Sequence, residues 1–216
     1  MAEEYPRAHI TGIDLSAIQP PWKPSNCYFE VDDFESDWEY ITPFDFIFCR
    51  NIAGSVRDFP LLLSRAKENL NKDGWIELVD FVPRIWSDDN TIERAPETRR
   101  WAKLLRVASN RFGKDLDLVP HYKNFLREAG FKNVREETFK VPINTWPKDP
   151  RLKEIGLCQM HNMLEGLESY GMAPLTRVMG WTCQDVQDLV SKARVEMQDR
   201  SIHLYCKFVF VYGQKE

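Results

Sequence analysis

A strand–helix–strand pattern in the first half of the chain constrains the fold more than any other feature. Residues 44–49 and 75–82 are apolar runs bounded by turn-forming residues, which is typical of strands. Between them, residues 58–70 carry apolar side chains at helical spacing, and Asp58 stands two positions before Pro60, as at a helix start. Two strands joined through a helix lie parallel in one sheet. The sequence therefore predicts an α/β domain.

The remaining elements extend this pattern along the whole chain. We expect a sheet whose strands pass through Ile10, Phe29, Ile47, Ile76, Val134 and Phe208. Apolar periodicity predicts further helices at 98–112, 121–129, 157–179 and 184–198. Residues 71–74 predict a turn before the strand at 75, and Thr182 predicts a helix N-cap. We interpret residues 1–216 as one three-layer domain, in which segments 84–118 and 145–182 form a helical cap.

Composition argues against several classes of function. The chain has 216 residues, 43% of them hydrophobic, which is enough for one buried core. Its net charge of -4 and the lack of a basic run argue against nucleic-acid binding. No apolar run approaches the ~18 residues of a membrane span, so we expect no membrane association. Five cysteines without a C-x-x-C pair indicate reduced thiols rather than a zinc site, and predict a cytoplasmic or nuclear protein.

The first predicted strand ends in an acid, Asp14. In nucleotide-binding α/β domains an acid at this place accepts the ribose hydroxyls, and a glycine-rich turn lies about 20 residues before it. Only thirteen residues precede Asp14, and Gly12 is the single glycine among them. We therefore expect the first strand of such a domain, and its glycine-rich turn, to be missing.

Several stretches resemble one known family. They are the Gly12 to Ser16 segment followed by Gln19, Pro20 and Pro24, the segment 27–33, the segment 44–47 with Arg50, the segment 70–77, and the ending at 199–205 and 212–215. Together they resemble the fungal LaeA-like class I methyltransferases, which use S-adenosylmethionine (SAM) and are tied to secondary metabolism. The resemblance covers nearly the whole chain and implies a Rossmann-like fold, N-terminally truncated so that the first strand and the glycine loop are absent.

The resemblance also implies a cofactor site, which we expect to be vestigial. Asp14 would accept the ribose hydroxyls, and Asp32 or Asp33 would accept the adenine amine at the end of the next strand. The alternative is that these carboxylates cap turns. Without the glycine-rich turn, the methionine end of SAM has no backbone amides to hold it, so we expect no cofactor.

Three polar residues are candidate catalytic groups. Arg50 falls at the carboxyl end of a predicted parallel strand, where α/β sheets place ligands, although it could instead pair with Asp80. His121 follows Pro120 at a helix start, and His161 lies in the helices after the sheet, where it is a candidate general base. Tryptophans and methionines in the cap would suit an apolar ligand or form core.

Three functions remain open at this point. The first is an enzyme of fungal secondary metabolism that no longer methylates and instead catalyses cyclisation or isomerisation of an apolar small molecule. The second is a shortened SAM-dependent methyltransferase. The third is a non-catalytic pseudo-methyltransferase that serves as a partner subunit.

The missing strand also predicts self-association. A central strand pairs on both sides, so its loss leaves two rows of backbone groups without partners, at roughly 1–3 kcal/mol for each buried group. Either the flanking strands close up and pair directly, or a second chain covers the gap. We expect a homodimer, because open sheet edges favour association.

Overall fold

The computed structural model describes all 216 residues, which form six strands and five α-helices. The strands are β1 Ile10–Asp14, β2 Cys27–Val31, β3 Phe44–Arg50, β4 Leu70–Trp86, β5 Lys132–Pro142 and β6 Tyr205–Gln214. The helices are α1 Phe59–Glu68, α2 Pro96–Arg111, α3 Tyr122–Glu128, α4 Pro150–Ala173 and α5 Cys183–Gln198. Short helical turns occupy Ala53–Ser55, Thr91–Arg94, Leu116–His121 and Pro174–Val178. None of the helices has the length and apolarity that crossing a membrane requires.

The strands form two sheets. Strands β1 and β2 make a parallel pair, and the other four are ordered β3-β4-β6-β5. Strands β3 and β4 are parallel and joined through α1, whereas β6 runs antiparallel to both β4 and β5. The predicted α/β, Rossmann-like class is confirmed, as are all six predicted strands.

Strand β4 begins earlier than the sequence predicts. Residues 71–74 were expected to form a turn, but they lie within β4. The backbone amide of Asp73 donates to the carbonyl of Lys215, and the amide of Lys215 donates to the carbonyl of Gly74, both at 2.8 Å. The end of the chain therefore holds this turn-like segment in the sheet.

Helix ends follow the capping chemistry of the sequence. The Asp58 carboxylate accepts from the amide of Leu61 at 2.9 Å, which caps α1. Thr182 forms a reciprocal capping box with Asp185 at the start of α5. Such caps each contribute about 1 kcal/mol to stability.

Two hydrophobic cores hold the elements together. The first lies between the four-stranded sheet and helices α1 and α3, where Leu63, Ile76 and Leu126 are fully buried. The second joins α2, α4 and α5 around Ile143 and Leu204, next to the end of β5 and the start of β6. The helical cap was predicted over segments 84–118 and 145–182, and helices α2 and α4 lie in these segments. Helix α5 lies outside both segments but packs with α2 and α4.

The two sheets do not close on each other. Strands β1 and β3 belong to separate sheets, so the direct pairing considered from the sequence does not occur. The chain after β2 ties the small sheet to the rest, because Phe34 and Trp38 pack against the first core. The Arg65 guanidinium also donates to the Asp37 carboxylate at 2.6 Å. One edge of β1 and one edge of β3 stay open.

Candidate functional site

Asp14, Asp32 and Asp33 lie together at one edge of the small sheet. Asp14 is opposite Val31 in the register of β1 and β2, so Asp32 follows it at the same edge. Each carboxylate accepts a backbone amide through one oxygen: from Ser16 at 2.9 Å, from Asp33 at 2.8 Å and from Glu35 at 2.9 Å, respectively. The second oxygen of each accepts no hydrogen bond within the chain. The acids therefore shape the turns and still present free acceptors.

Tyr40 borders these acids, and sequence reasoning did not find it. Burial, followed by the charges of Asp32 and Glu30, raises the pKa of Tyr40. Its ring packs edge-on against Phe44 at 4.8 Å between centroids. The sequence spacing does not place Tyr40 near the strand ends, because only the fold of residues 34–40 brings it towards them.

A buried carboxylate fixes the loop that follows β3. Asp80 is only 2% exposed, and its Oδ2 accepts from the amides of Ile52 at 2.9 Å and Ala53 at 3.2 Å. The Tyr122 hydroxyl donates to the same oxygen at 2.8 Å. Burial raises the pKa of Asp80, and these hydrogen bonds oppose the rise.

Asp80 does not pair with Arg50, so that interpretation of the sequence is wrong. Adjacent strand residues alternate between faces, and Asp80 points to the first core while Arg50 points to the opposite side. Burial, with a smaller contribution from the Asp80 charge, raises the pKa of the neighbouring Cys49 thiol to about 12. This cluster holds the loop in place rather than contacting solvent.

The three candidate catalytic residues lie on different elements. Arg50 ends β3, His121 directly precedes α3 with its ring 6.2 Å from that of Phe125, and His161 lies on α4. All three side chains are exposed. None of them takes part in an ion pair of the chain. Their catalytic roles stay predictions.

His203 belongs to a polar cluster, which the sequence did not indicate. Its Nδ1 lies 2.5 Å from Oδ2 of Asp89, and its ring packs on Trp146 at 5.1 Å. Hydrogen bonds from Thr91, and then from His203, lower the pKa of Asp89 to about 2. Strand alternation does not reveal this contact, because the acid lies 114 positions earlier in the sequence.

Most of the tryptophans and methionines considered for an apolar ligand are core residues. Trp101 is 5% exposed, and its indole donates to the carbonyl of Leu167 at 2.9 Å. The second core also takes Met160, Met163, Met172, Met179 and Trp181 against its surface. Packing therefore accounts for these side chains.

Two of the cavities that open to solvent are lined by none of the candidate residues. One, of about 480 Å³, lies between α1 and α3 and is lined by residues such as Ser64, Lys67 and Lys215. The other, of about 420 Å³, lies on β3 and β4 and is lined by Phe46 and Trp75 among others.

Comparison with known proteins gives the family. Residues 1–136 match the family described as methyltransferase domain. Methyltransferase pytC of Aspergillus terreus is 39% identical over 216 residues, which is 100% of this chain and 67% of that protein. The secondary metabolism regulator LAE1 of Cochliobolus heterostrophus is 35% identical over 209 residues, covering 95% of this chain and 68% of that protein. The chain thus spans about two thirds of the length of these relatives.

A solved structure with the same fold is mycolic acid cyclopropane synthase CmaA1, complexed with S-adenosylhomocysteine (SAH) and CTAB. Its TM-score is 0.55 at 14% identity, covering 99% of this chain and 72% of that one. The expectation that this chain uses no cofactor is wrong, because the family and the fold it shares are those of proteins that bind SAM or its product. The missing glycine-rich turn bears only on the methionine end of SAM. This chain belongs to the methyltransferase family, among its members in fungal secondary metabolism.

Proposed function

We propose that this chain takes part in SAM-dependent methylation of a small molecule in fungal secondary metabolism. The observation that carries the proposal is the group of three acids, Asp14, Asp32 and Asp33, at one sheet edge with free acceptor oxygens. The nucleoside of SAM presents ribose hydroxyls and an adenine amine, all of them donors, so the donor and acceptor chemistry fits. When bound, SAM supplies an activated methyl group.

The acids have distinct parts in this proposal. Asp14 ends β1 at the carboxyl edge of a parallel pair, where one carboxylate can accept both ribose hydroxyls. Asp32 and Asp33 follow the next strand and would accept from the adenine amine. The charge of Asp32 acts on Tyr40, so Tyr40 is the proposed aromatic neighbour of the base.

The acceptor of the methyl group is proposed to be an apolar metabolite. His121, exposed at the start of α3, is the candidate to take a proton from the acceptor, and His161, exposed on α4, is the second. Arg50, exposed at the end of β3, is the third candidate polar group.

The free thiols support a location in a reducing compartment. All five cysteines are unpaired, and Cys158 and Cys183 are exposed. Such thiols persist in the cytoplasm or the nucleus. We propose either compartment, and a homodimer.

The two other functions are outcomes of one experiment. The chain is incubated with methyl-tritiated SAM and an organic extract of a fungal culture, and labelled products are separated by chromatography. If the chain methylates a metabolite, tritium is expected in small-molecule products, and the His121→Ala variant is expected to incorporate less of it. Altered metabolites without SAM and without label would favour cyclisation or isomerisation. Unaltered metabolites, together with co-purification of a longer methyltransferase, would favour the partner subunit.

A further inference from the structure

Glu35 connects one of the cofactor acids with the loop that follows β3. Asp33 comes two positions after the end of β2, and its Oδ1 accepts from the backbone amide of Glu35 at 2.9 Å. The Oε1 atom of Glu35 accepts from the backbone amide of Arg57 at 2.5 Å. Arg57 lies in the loop between β3 and α1. The chain that leaves β2 and the loop that leaves β3 are therefore joined through one side chain.

The second carboxylate oxygen of Glu35 contacts a cation from the helical cap. Its Oε2 lies 3.6 Å from Nζ of Lys114, and the side chains of Glu35 and Lys114 are 21% and 17% exposed. Lys114 follows α2, and its Nζ also donates to the carbonyl of Ser55 at 2.6 Å, in the same loop after β3. Partly buried ion pairs are screened by salt less than exposed ones. Both oxygens of Glu35 are thus held at this loop.

The loop after β3 is itself fixed to the first core. The buried carboxylate of Asp80 accepts from the amides of Ile52 and Ala53, as described above. On the other side of the connection, the guanidinium of Arg65 on α1 donates to the backbone carbonyl of Glu35. Glu35 therefore sets the position of Asp33 relative to a loop that the core holds in place.

We propose that Glu35 is a positioning residue for adenine recognition, which acts through Asp33 and does not touch the ligand. The inference rests on the proposed function, in which the acids bind the nucleoside of SAM. Oδ1 of Asp33 is occupied by the Glu35 amide, so Oδ2 is the oxygen that accepts from the adenine amine. A hydrogen bond needs its donor and acceptor within about 2.7–3.2 Å, so a shift of Asp33 by about 1 Å breaks it.

A purely structural role of Glu35 would have a different consequence. If Glu35 only stabilised the fold, its removal would change the affinity for all nucleosides to the same degree. If Glu35 positions Asp33, its removal weakens only the ligands that carry the adenine amine. The ratio of the affinities for two nucleosides, with and without this amine, separates the two roles.

Titration calorimetry of adenosine and purine riboside measures this ratio. The two nucleosides share the ribose and the ring system, and purine riboside carries hydrogen in place of the amine. The wild type is expected to bind adenosine roughly 10-fold more tightly, since a hydrogen bond to a charged group accounts for about that factor or more. Glu35→Ala keeps the backbone amide that bonds to Asp33 but loses the contact with the loop. Its preference for adenosine should fall to within about 2-fold.

Glu35→Gln is the rescue variant. Its side-chain oxygen still accepts from the Arg57 amide, and it loses only the ion pair with Lys114, which accounts for no more than about a 5-fold change in affinity. It should keep the preference for adenosine. Glu39→Ala removes an exposed acid of the same segment that forms no ion pair, and it should match the wild type. Circular dichroism checks that each variant is folded.

The outcomes separate this inference from the proposed function. If the wild type prefers adenosine and Glu35→Ala keeps that preference, the role of Glu35 is overturned and the proposed function stands. A Glu35→Gln variant that loses the preference, or a wild type that binds both nucleosides equally, would overturn the role as well. A wild type that binds neither SAM nor adenosine would overturn the proposed function itself, and this inference with it.

Discussion

The hydroxyl of Tyr122 donates to the buried carboxylate of Asp80 at 2.8 Å, across 42 positions of sequence. This bond connects the start of α3 with the middle of β4. Through the same oxygen, Asp80 holds the amides of Ile52 and Ala53 in the loop that follows β3. One side chain thus couples a helix, a strand and a loop at the carboxyl end of the parallel pair.

Tyr122→Phe should therefore destabilise the fold. Removing the hydroxyl leaves a buried carboxylate oxygen with fewer donors, which costs about 1–3 kcal/mol of unfolding free energy. Urea denaturation measures the change, and Tyr170→Phe at an exposed position is the control. If Tyr122→Phe and Tyr170→Phe had the same urea midpoint of unfolding, a stabilising role for this hydrogen bond would be contradicted.

The raised pKa of Asp80 gives stability a definite pH dependence. Because burial raises the pKa above its usual 3.8, the folded state holds the proton more tightly than the unfolded state. The stability that this tighter proton binding adds to the folded state is complete below pH 3.8, and it is lost as the pH rises through the folded-state pKa of Asp80. Asp80→Asn removes this titration. In thermal melts the wild type should lose stability relative to this variant as the pH rises above 3.8 and through the folded-state pKa, and the opposite slope would contradict the assignment.

Gly156 allows α4 to approach the end of β5. A Cβ atom placed there would lie 2.0 Å from the carbonyl oxygen of Asn144, a backbone atom that cannot rotate away. We expect Gly156→Ala to lower the unfolding free energy by about 1–3 kcal/mol or more, since the helix must shift. Glu154→Ala on the exposed side of α4 is the control. A melting temperature equal to that of the control would show that the helix has room to move.

Cysteine reactivity should follow burial. The pKa values of Cys49 and Cys206 are raised to about 12, chiefly by burial, so at pH 8 almost none of either is thiolate. Iodoacetamide should label the exposed Cys158 and Cys183 in the folded protein. Mass spectrometry of peptides reads the sites. Labelling of Cys49 before unfolding would contradict the buried cluster around Asp80.

Local sequence patterns predicted the strands and helices better than they predicted which distant residues contact each other. The Asp58 cap and the six strands follow from short-range signals, and Asp14, Asp32 and Asp33 were found because strand ends are visible in sequence. Pairs distant in sequence were missed. The polar cluster of His203 depends on Asp89, 114 positions away, and the extension of β4 depends on the chain end at Lys215.

The open, aromatic side of the four-stranded sheet could not be derived from periodicity for a related reason. Residues of β6 alternate between Val209 and Val211 on the first core and Phe208, Phe210 and Tyr212 on the other side, so both faces are apolar. Such a strand predicts burial on both sides. Only the packed structure shows that helices α1 and α3 cover one side and leave the aromatic rings open.

Titration calorimetry of SAM tests the central claim, that Asp14 holds the ribose of the cofactor. Asp14→Asn should weaken binding roughly 10- to 100-fold, because a hydrogen bond to a charged group contributes about 1.5–3 kcal/mol. Asp188→Asn, an exposed acid on α5, should leave affinity unchanged. Adenosine should compete with SAM for the wild type, since both present the same ribose. Equal affinity of the wild type and Asp14→Asn, or no binding of SAM to either, would contradict the account.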